Sequence, residues 1–192
     1  MSNYPTIIEE IPSRVFLDTS VLNFILDHGE SIFDGVALPN DGNHRKMMDV
    51  DAFRNIFLTG QRATWEIAIS PFTYSEIIHT RHLQKLHDLT NWFEDVWSYW
   101  FNILQEDNNL PSPLVAEKLQ REIFSSRVLD VFPDPADRKL LCDAIIYRCD
   151  FFCTRDWKTI LKYRDRLHSS PINIISPKEW WNRISPYASL WA

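Results

Sequence analysis

The chain has 192 residues, 45% of them hydrophobic and 14% aromatic, enough apolar surface to close the core of one globular domain and too much for a disordered chain. With 20 Lys and Arg against 26 Asp and Glu the formal net charge is -6, which excludes capture of a polyanion by overall charge and leaves nucleic acid only a local basic surface. No stretch reaches the ~20 apolar residues of a membrane span, and Met1 to Glu10 lacks a basic start followed by an apolar run, so a soluble cytoplasmic protein without a membrane partner is expected.

In chain order, Arg14-Val15-Phe16-Leu17 is a short apolar run that ends at Asp18-Thr19-Ser20, and Val21, Leu22, Phe24, Ile25 and Leu26 then form a helical stripe. A strand, a short turn and a helix follow from this pattern. Asp18 therefore falls at the carboxyl end of the strand, where parallel sheets bind ligands. Residues 27–43, with Gly29, Gly35, Pro39, Asn40 and Gly42, have the composition of a loop. A helix is expected over about 44–58, built on Met47, Met48, Phe53, Ile56, Phe57 and Leu58.

Trp65 to Ile69 reads as a second strand, and Ser70-Pro71 starts a helix by placing an N-cap before proline at N1. A long helix is expected through Leu83, Leu86, Leu89, Trp92, Phe93, Val96, Trp97, Trp100, Phe101 and Leu104. Its aromatic stripe suits core packing, a dimer face or base stacking. Asp107-Asn108-Asn109 ends it, and Ser112-Pro113 opens a helix to about Phe124.

Val128 to Phe132 is expected to be a third strand, stopped by Pro133 and Pro135, and a helix over about 136–148 places Leu140, Leu141, Ala144 and Ile145 inward. Phe151 to Cys153 reads as a fourth strand, a polar helical stretch follows Asp156, and Ile172 to Ile175 reads as a fifth strand. Ser176-Pro177-Lys178-Glu179 combines an N-cap, proline at N1 and glutamate at N3, the start of a last helix. Five strands alternating with helices predict a three-layer α/β/α fold on a central, mostly parallel five-stranded sheet. A single domain over 1–192 is expected, with a variable helical and loop insertion around 27–64. Cys142, Cys149 and Cys153 do not form the paired CxxC spacing of a zinc site and are expected to be reduced and buried.

Acids recur where strands hand over to helices: Asp18, Glu76, Asp134, Asp137 and Asp156. In a doubly wound sheet these positions converge at the carboxyl edge. Carboxylates gathered in one cleft either rise in pKa or share a cation, and oxygen ligands favour Mg²⁺ or Mn²⁺ over zinc. Each acid also has a local reading. Asp18 and Asp134 suit N-caps, Glu76 stands three after Thr73 and suits a capping box, and Asp156 suits a turn. Asp143 is six residues beyond Asp137, about 240° further round a helix, and is expected to face elsewhere. His79 and His82 are three apart but lack the HExxH pattern of a zinc enzyme, and no P-loop or GxGxxG is present to hold a nucleotide cofactor. Arg155, Arg138 and Lys158 are candidate phosphate ligands, with solvent-facing charge as the alternative.

Val15 to Leu22, with its Asp18-Thr19-Ser20, resembles the opening motif of the PIN domain family, metal-dependent ribonucleases that include the VapC toxins of toxin-antitoxin systems. Phe72 to Ile77 is similar to the glutamate-bearing second motif, and Asp134 to Asp156, ending in Thr154-Arg155-Asp156, is similar to the helix-borne third acid and T-x-D motif. Ile172 to Trp180 resembles the last strand and Pro-led helix. The long stretch between the first two motifs and the aromatic helix after Glu76 depart from a minimal toxin.

The resemblance implies metal ligation by Asp18, Glu76, Asp137 and Asp156, with Thr19, Ser20 or Thr154 orienting a carboxylate or water. Asp134 and Asp143 are further candidates for the ligand set or its surroundings. It implies a Mg²⁺- or Mn²⁺-dependent endoribonuclease hydrolysing phosphodiester bonds with metal-activated water, leaving 5′-phosphate and 3′-hydroxyl ends. RNA, an antitoxin protein and a second copy of the chain are the partners it suggests. The alternatives are a catalytically degenerate RNA-binding or protein-interaction module and a small-molecule phosphohydrolase, the latter disfavoured because Asp18-Thr19-Ser20 is not a DxD.

Overall fold

The computed structural model describes residues 11–39, 41–60, 63, 65–73, 83–167 and 171–191; within it, the side chains of 83–93 and 190–191 are not described. Strands β1 (Arg14–Leu17), β2 (Glu66–Ala68), β3 (Phe151–Cys153) and β4 (Asn173–Ile175) form one sheet in the order β2-β1-β3-β4. Every pairing is parallel: Val15 lies opposite Ile67 on one side and Phe151 on the other, and Phe152 lies opposite Ile174. All residues of β1 and β3 are buried, as a parallel sheet covered on both faces requires. Phe16 and Phe152, paired in register, stack with ring centroids 5.3 Å apart.

The helices bounded within the described residues are α1 (Thr19–Asp27), α2 (Gly29–Phe33), α3 (His44–Gly60), α4 (Leu83–Glu106), α5 (Pro113–Ser126), α6 (Pro135–Ile146) and α7 (Pro177–Ile184), and residues 71–73 after Ser70 are also helical. They flank the sheet in a layered α/β architecture, α3 packing on α7, α5 on α6, and α4 against β2. Gly60, at the end of α3, lies where an added Cβ would come within 2.8 Å of the Trp65 indole nitrogen. The missing side chain lets Trp65 sit over that end and meet Trp180 of α7 edge-on at 5.9 Å. Among the described residues no helix is long and apolar enough to cross a membrane.

The sheet has four strands among the described residues, where five were predicted. The difference is Val128 to Phe132, which is a 3-10 helix over Val128–Val131. Chain reversal through Arg127, at φ 60°, introduces it, and the Phe132 amide donates to the Leu129 carbonyl at 3.0 Å. The apolar pattern is met at a spacing of three, since Leu129 and Phe132 are both buried, whereas a strand would pair Leu129 with Val131 on one face.

Other expectations shift in detail. The loop at 27–43 contains α2, and the stretch after Asp156 is a run of turns closed by a 3-10 helix at Arg164–Arg166. In α3, Met47 and Leu58 are exposed while Asp49 and Val50 are buried. In α4, Trp100 is fully buried but Phe101 faces out. The Ser176 capping box forms as predicted: its hydroxyl accepts from the Glu179 amide while Glu179 accepts from the Ser176 amide. The three cysteines are free and buried, as expected.

Candidate acidic site at the carboxyl edge of the sheet

The chain leaves β1 for β2 on one side and later returns to β3 on the other, so the strand order reverses between β1 and β3. In open parallel sheets such a reversal opens a crevice beyond the carboxyl ends of the strands. Asp18 follows β1 and Thr154 follows β3, and the Asp18 amide donates to the Cys153 carbonyl at 3.0 Å, locking the two strand ends together.

Asp18 occupies the N-cap position of α1 but makes no side-chain cap hydrogen bond. Its Oδ2 instead accepts from Ser20 Oγ at 2.5 Å and Thr154 Oγ1 at 2.6 Å, at 4% exposure. Burial pushes its pKa up; the two hydroxyls pull it down, and the Asp156 charge pushes it up again. Thr154 Oγ1 also accepts from the Asp156 amide at 3.0 Å, so the T-x-D turn and the Asp18 carboxylate share one hydroxyl. The Thr19 hydroxyl meets Thr73 Oγ1 at 3.4 Å.

Asp156 makes the turn foreseen for it: Oδ1 accepts from the Lys158 and Thr159 amides and Oδ2 from the Thr159 hydroxyl, all within 2.8 Å. Burial raises its pKa, but these hydrogen bonds and the Lys158 charge outweigh burial and hold it low. Asp137, at the third position of α6, is the reverse case. Its Oδ2 is buried without a hydrogen-bond partner, and its pKa is raised to about 6, first by burial and then by the charges of Asp18, Asp134 and Asp156. The Thr159 hydroxyl offsets part of this rise.

Asp134 is exposed and caps α6 by accepting from the Ala136 amide at 2.8 Å, so its carboxylate serves the helix start while its charge reaches Asp137. Asp143 accepts from Ser70 Oγ at 2.7 Å, just beyond the carboxyl end of β2. Arg138 is tied to the Phe132 carbonyl and to Asp130. Lys158 is exposed. Glu76, His79 and His82 lie outside the described residues.

Arg155 carries more structure than a free phosphate ligand would. Its Nε donates to Asp49 Oδ2 at 2.8 Å, and its guanidinium lies 3.5 Å from the Phe24 ring centroid. Asp49, 2% exposed on α3, was not singled out from the sequence; in a helical stretch a buried acid looks like a surface one until its partner is known. Burial raises its pKa while Arg155 pulls it back.

Among the described residues no group of three or more His, Cys, Asp or Glu side chains is placed to hold a metal ion by itself. The donor chemistry nonetheless suits a hard cation. Asp18, Asp137 and Asp156 come from three separate segments, the charges of Asp18 and Asp156 raise the Asp137 pKa and that of Asp156 raises the Asp18 pKa, and Asp137 Oδ2 is the one buried carboxylate oxygen among the described residues left without a donor. Comparison with known proteins finds no matching family model, no matching curated protein and no matching solved structure.

Proposed function

We propose that the chain is a divalent-metal-dependent ribonuclease of PIN type, on a three-layer α/β/α fold. The observation that carries this reading is the unpartnered Asp137 Oδ2 beside Asp18 and Asp156 at the strand reversal. Asp18 and Asp137 would hold Mg²⁺ or Mn²⁺, with Glu76 and Asp156 completing the set directly or through water. When bound, the cation supplies Lewis-acid polarisation of a phosphodiester and a nucleophile at neutral pH.

The protein's own groups do the rest. Ser20 and Thr154 fix the Asp18 carboxylate through two hydroxyl donors, so its remaining oxygen is oriented before any ligand arrives. Asp156, held ionised by the turn around Thr159, keeps negative charge in the crevice at neutral pH. The raised pKa of Asp137 describes a carboxylate whose charge lacks a counter-ion. Toxin biology and an antitoxin partner would follow from the family resemblance alone, a homodimer would use the aromatic helix α4, and a cytoplasmic setting is carried over from the composition of the chain.

A second reading has its own support. It is a catalytically degenerate RNA-binding or protein-interaction module, in which Ser20 and Thr154 hold Asp18 as a structural carboxylate. The two separate in one assay: labelled single-stranded RNA of mixed sequence, incubated with Mn²⁺ or Mg²⁺, should be cleaved, and EDTA, Asp18→Asn or Asp137→Asn should each abolish cleavage. Cleavage that survives all three removes the metal mechanism. RNA retained but uncut by the unaltered chain selects the degenerate module.

A further inference from the structure

Beside the acidic crevice, α1, the start of α3 and the segment after β3 line an open pocket of ≈ 280 Å³ whose lining includes Asn23, Asp27, His28, Asn43, Lys46 and Arg155. Ser20 joins the two places: its hydroxyl donates to Asp18 and accepts from the Arg155 amide at 3.1 Å. We propose that this cavity is a nucleotide subsite, in which Lys46 and Arg155 face a phosphate of the strand whose neighbouring bond lies at Asp18, and Asp49 acts as the positioning residue for Arg155.

Four observations carry the assignment. The volume is at the lower end of small-ligand cavities, suited to one nucleotide and too small for a duplex. The cations are held in place: Arg155 by Asp49 and the Phe24 ring, Lys46 by an ion pair with Asp41. A guanidinium fixed on an aromatic face and a carboxylate loses little freedom on meeting a phosphate. Both cations are close enough to His28 to lower its pKa, after burial, while Asp41 raises it. Finally, Asn23, Asn43 and the Asp27 carboxylate line the same space with groups suited to base edges and sugar hydroxyls, which a pure anion trap would not need.

An unpaired nucleotide is the form proposed, because a base within a helix is stacked and its edges are not free to meet the pocket lining. The substrate strand is taken from the nuclease reading above, but the cavity itself is testable without catalysis. The full chain in EDTA is titrated with adenosine 5′-monophosphate and uridine 5′-monophosphate, and with inorganic phosphate as a reference, by calorimetry and by NMR shifts. The expected result is millimolar or tighter binding of a nucleotide, stronger than of phosphate, weakened about tenfold by Lys46→Ala and by Arg155→Lys. Asp49→Asn, which keeps an acceptor near Arg155, should weaken it less than Asp49→Ala.

In the cleavage assay Lys46→Ala should raise KM while leaving kcat within about twofold. Nucleotides that fail to bind, or that bind equally well to Lys46→Ala and Arg155→Lys chains of unchanged thermal midpoint, overturn the subsite even if RNA is cut. Nucleotide binding with this mutational pattern in a chain that cuts no RNA keeps the subsite and removes the nuclease reading instead.

Discussion

At Asp137 a single oxygen atom joins stability to proposed activity. The carboxyl is raised from its ordinary 3.8 to about 6 in the folded, metal-free chain, so between these values the folded state binds more protons than the unfolded one. Stability therefore falls as pH rises through this window, and above pH ~6 the charged group costs about 1–3 kcal/mol. Asp137→Asn in EDTA should accordingly stabilise the chain by that amount at pH 7, with the gain shrinking to nothing below pH ~4 in denaturant titrations, while cleavage is lost. A variant no more stable than the parent at pH 7 would show that the orphaned oxygen is not strained. Site residues that destabilise the resting fold are a familiar trade against function.

Elements make different demands. The turn from β4 into α7 is held by the Ser176 capping box and by Arg164, whose two terminal nitrogens grip Glu179 at 2.7 and 2.5 Å while one also donates to the Ile174 carbonyl. That bond occupies a carbonyl on the edge strand β4, which would otherwise be open to pairing with another chain. The Arg164 hydrogen bonds hold the Glu179 pKa at about 2, against an ordinary 4.5.

A depressed carboxylate stabilises above its unfolded pKa and loses that contribution as pH falls through its folded one. Because Glu179 is more than a third exposed, solvent screening limits the stabilisation to about 1–2 kcal/mol. Glu179→Gln should lose this amount in denaturant titrations at pH 7, with the difference fading between pH ~4.5 and ~2.

The short 3-10 helix after α5 offers a sharper structural test. Phe132→Ala should cost about 3–5 kcal/mol because the ring is fully buried, whereas Val131→Thr, half-buried, should cost about 1 kcal/mol or less. Equal losses would contradict the difference in burial between the two positions.

For the whole molecule the acidic site is a matter of linkage. A cation that binds only the folded chain stabilises it by about 2.7 kcal/mol at a hundredfold excess over its Kd, which in a chain of this size raises the thermal midpoint by about 5–10 °C. Mn²⁺ should produce such a shift in the parent and not in Asp137→Asn. An equal shift in both would place the ion elsewhere. The same scale explains Arg14, at 8% exposure on the central strand: it bonds Glu66 of β2, Asp107 beyond α4 and the Tyr147 carbonyl after α6, and lies over the Trp100 ring. One buried cation thus ties together segments separated by most of the sequence.

The four strands of the sheet, the proline-led helix starts after Ser112, Asp134 and Ser176, and the placement of Asp18, Asp137 and Asp156 at strand ends or helix starts were legible in the residues, because periodicity, proline and capping side chains act over three or four positions. Tertiary structure alone decided that Val128 to Phe132 coils rather than extends, because a short apolar run satisfies either spacing and its neighbours choose between them. It alone turned Asp18 away from capping toward Ser20 and Thr154, left Asp137 Oδ2 without a donor, and set Arg155 between Asp49 and Phe24. Those pairings join residues up to 136 positions apart, and no local rule links a carboxylate to a partner that only sheet formation brings within reach.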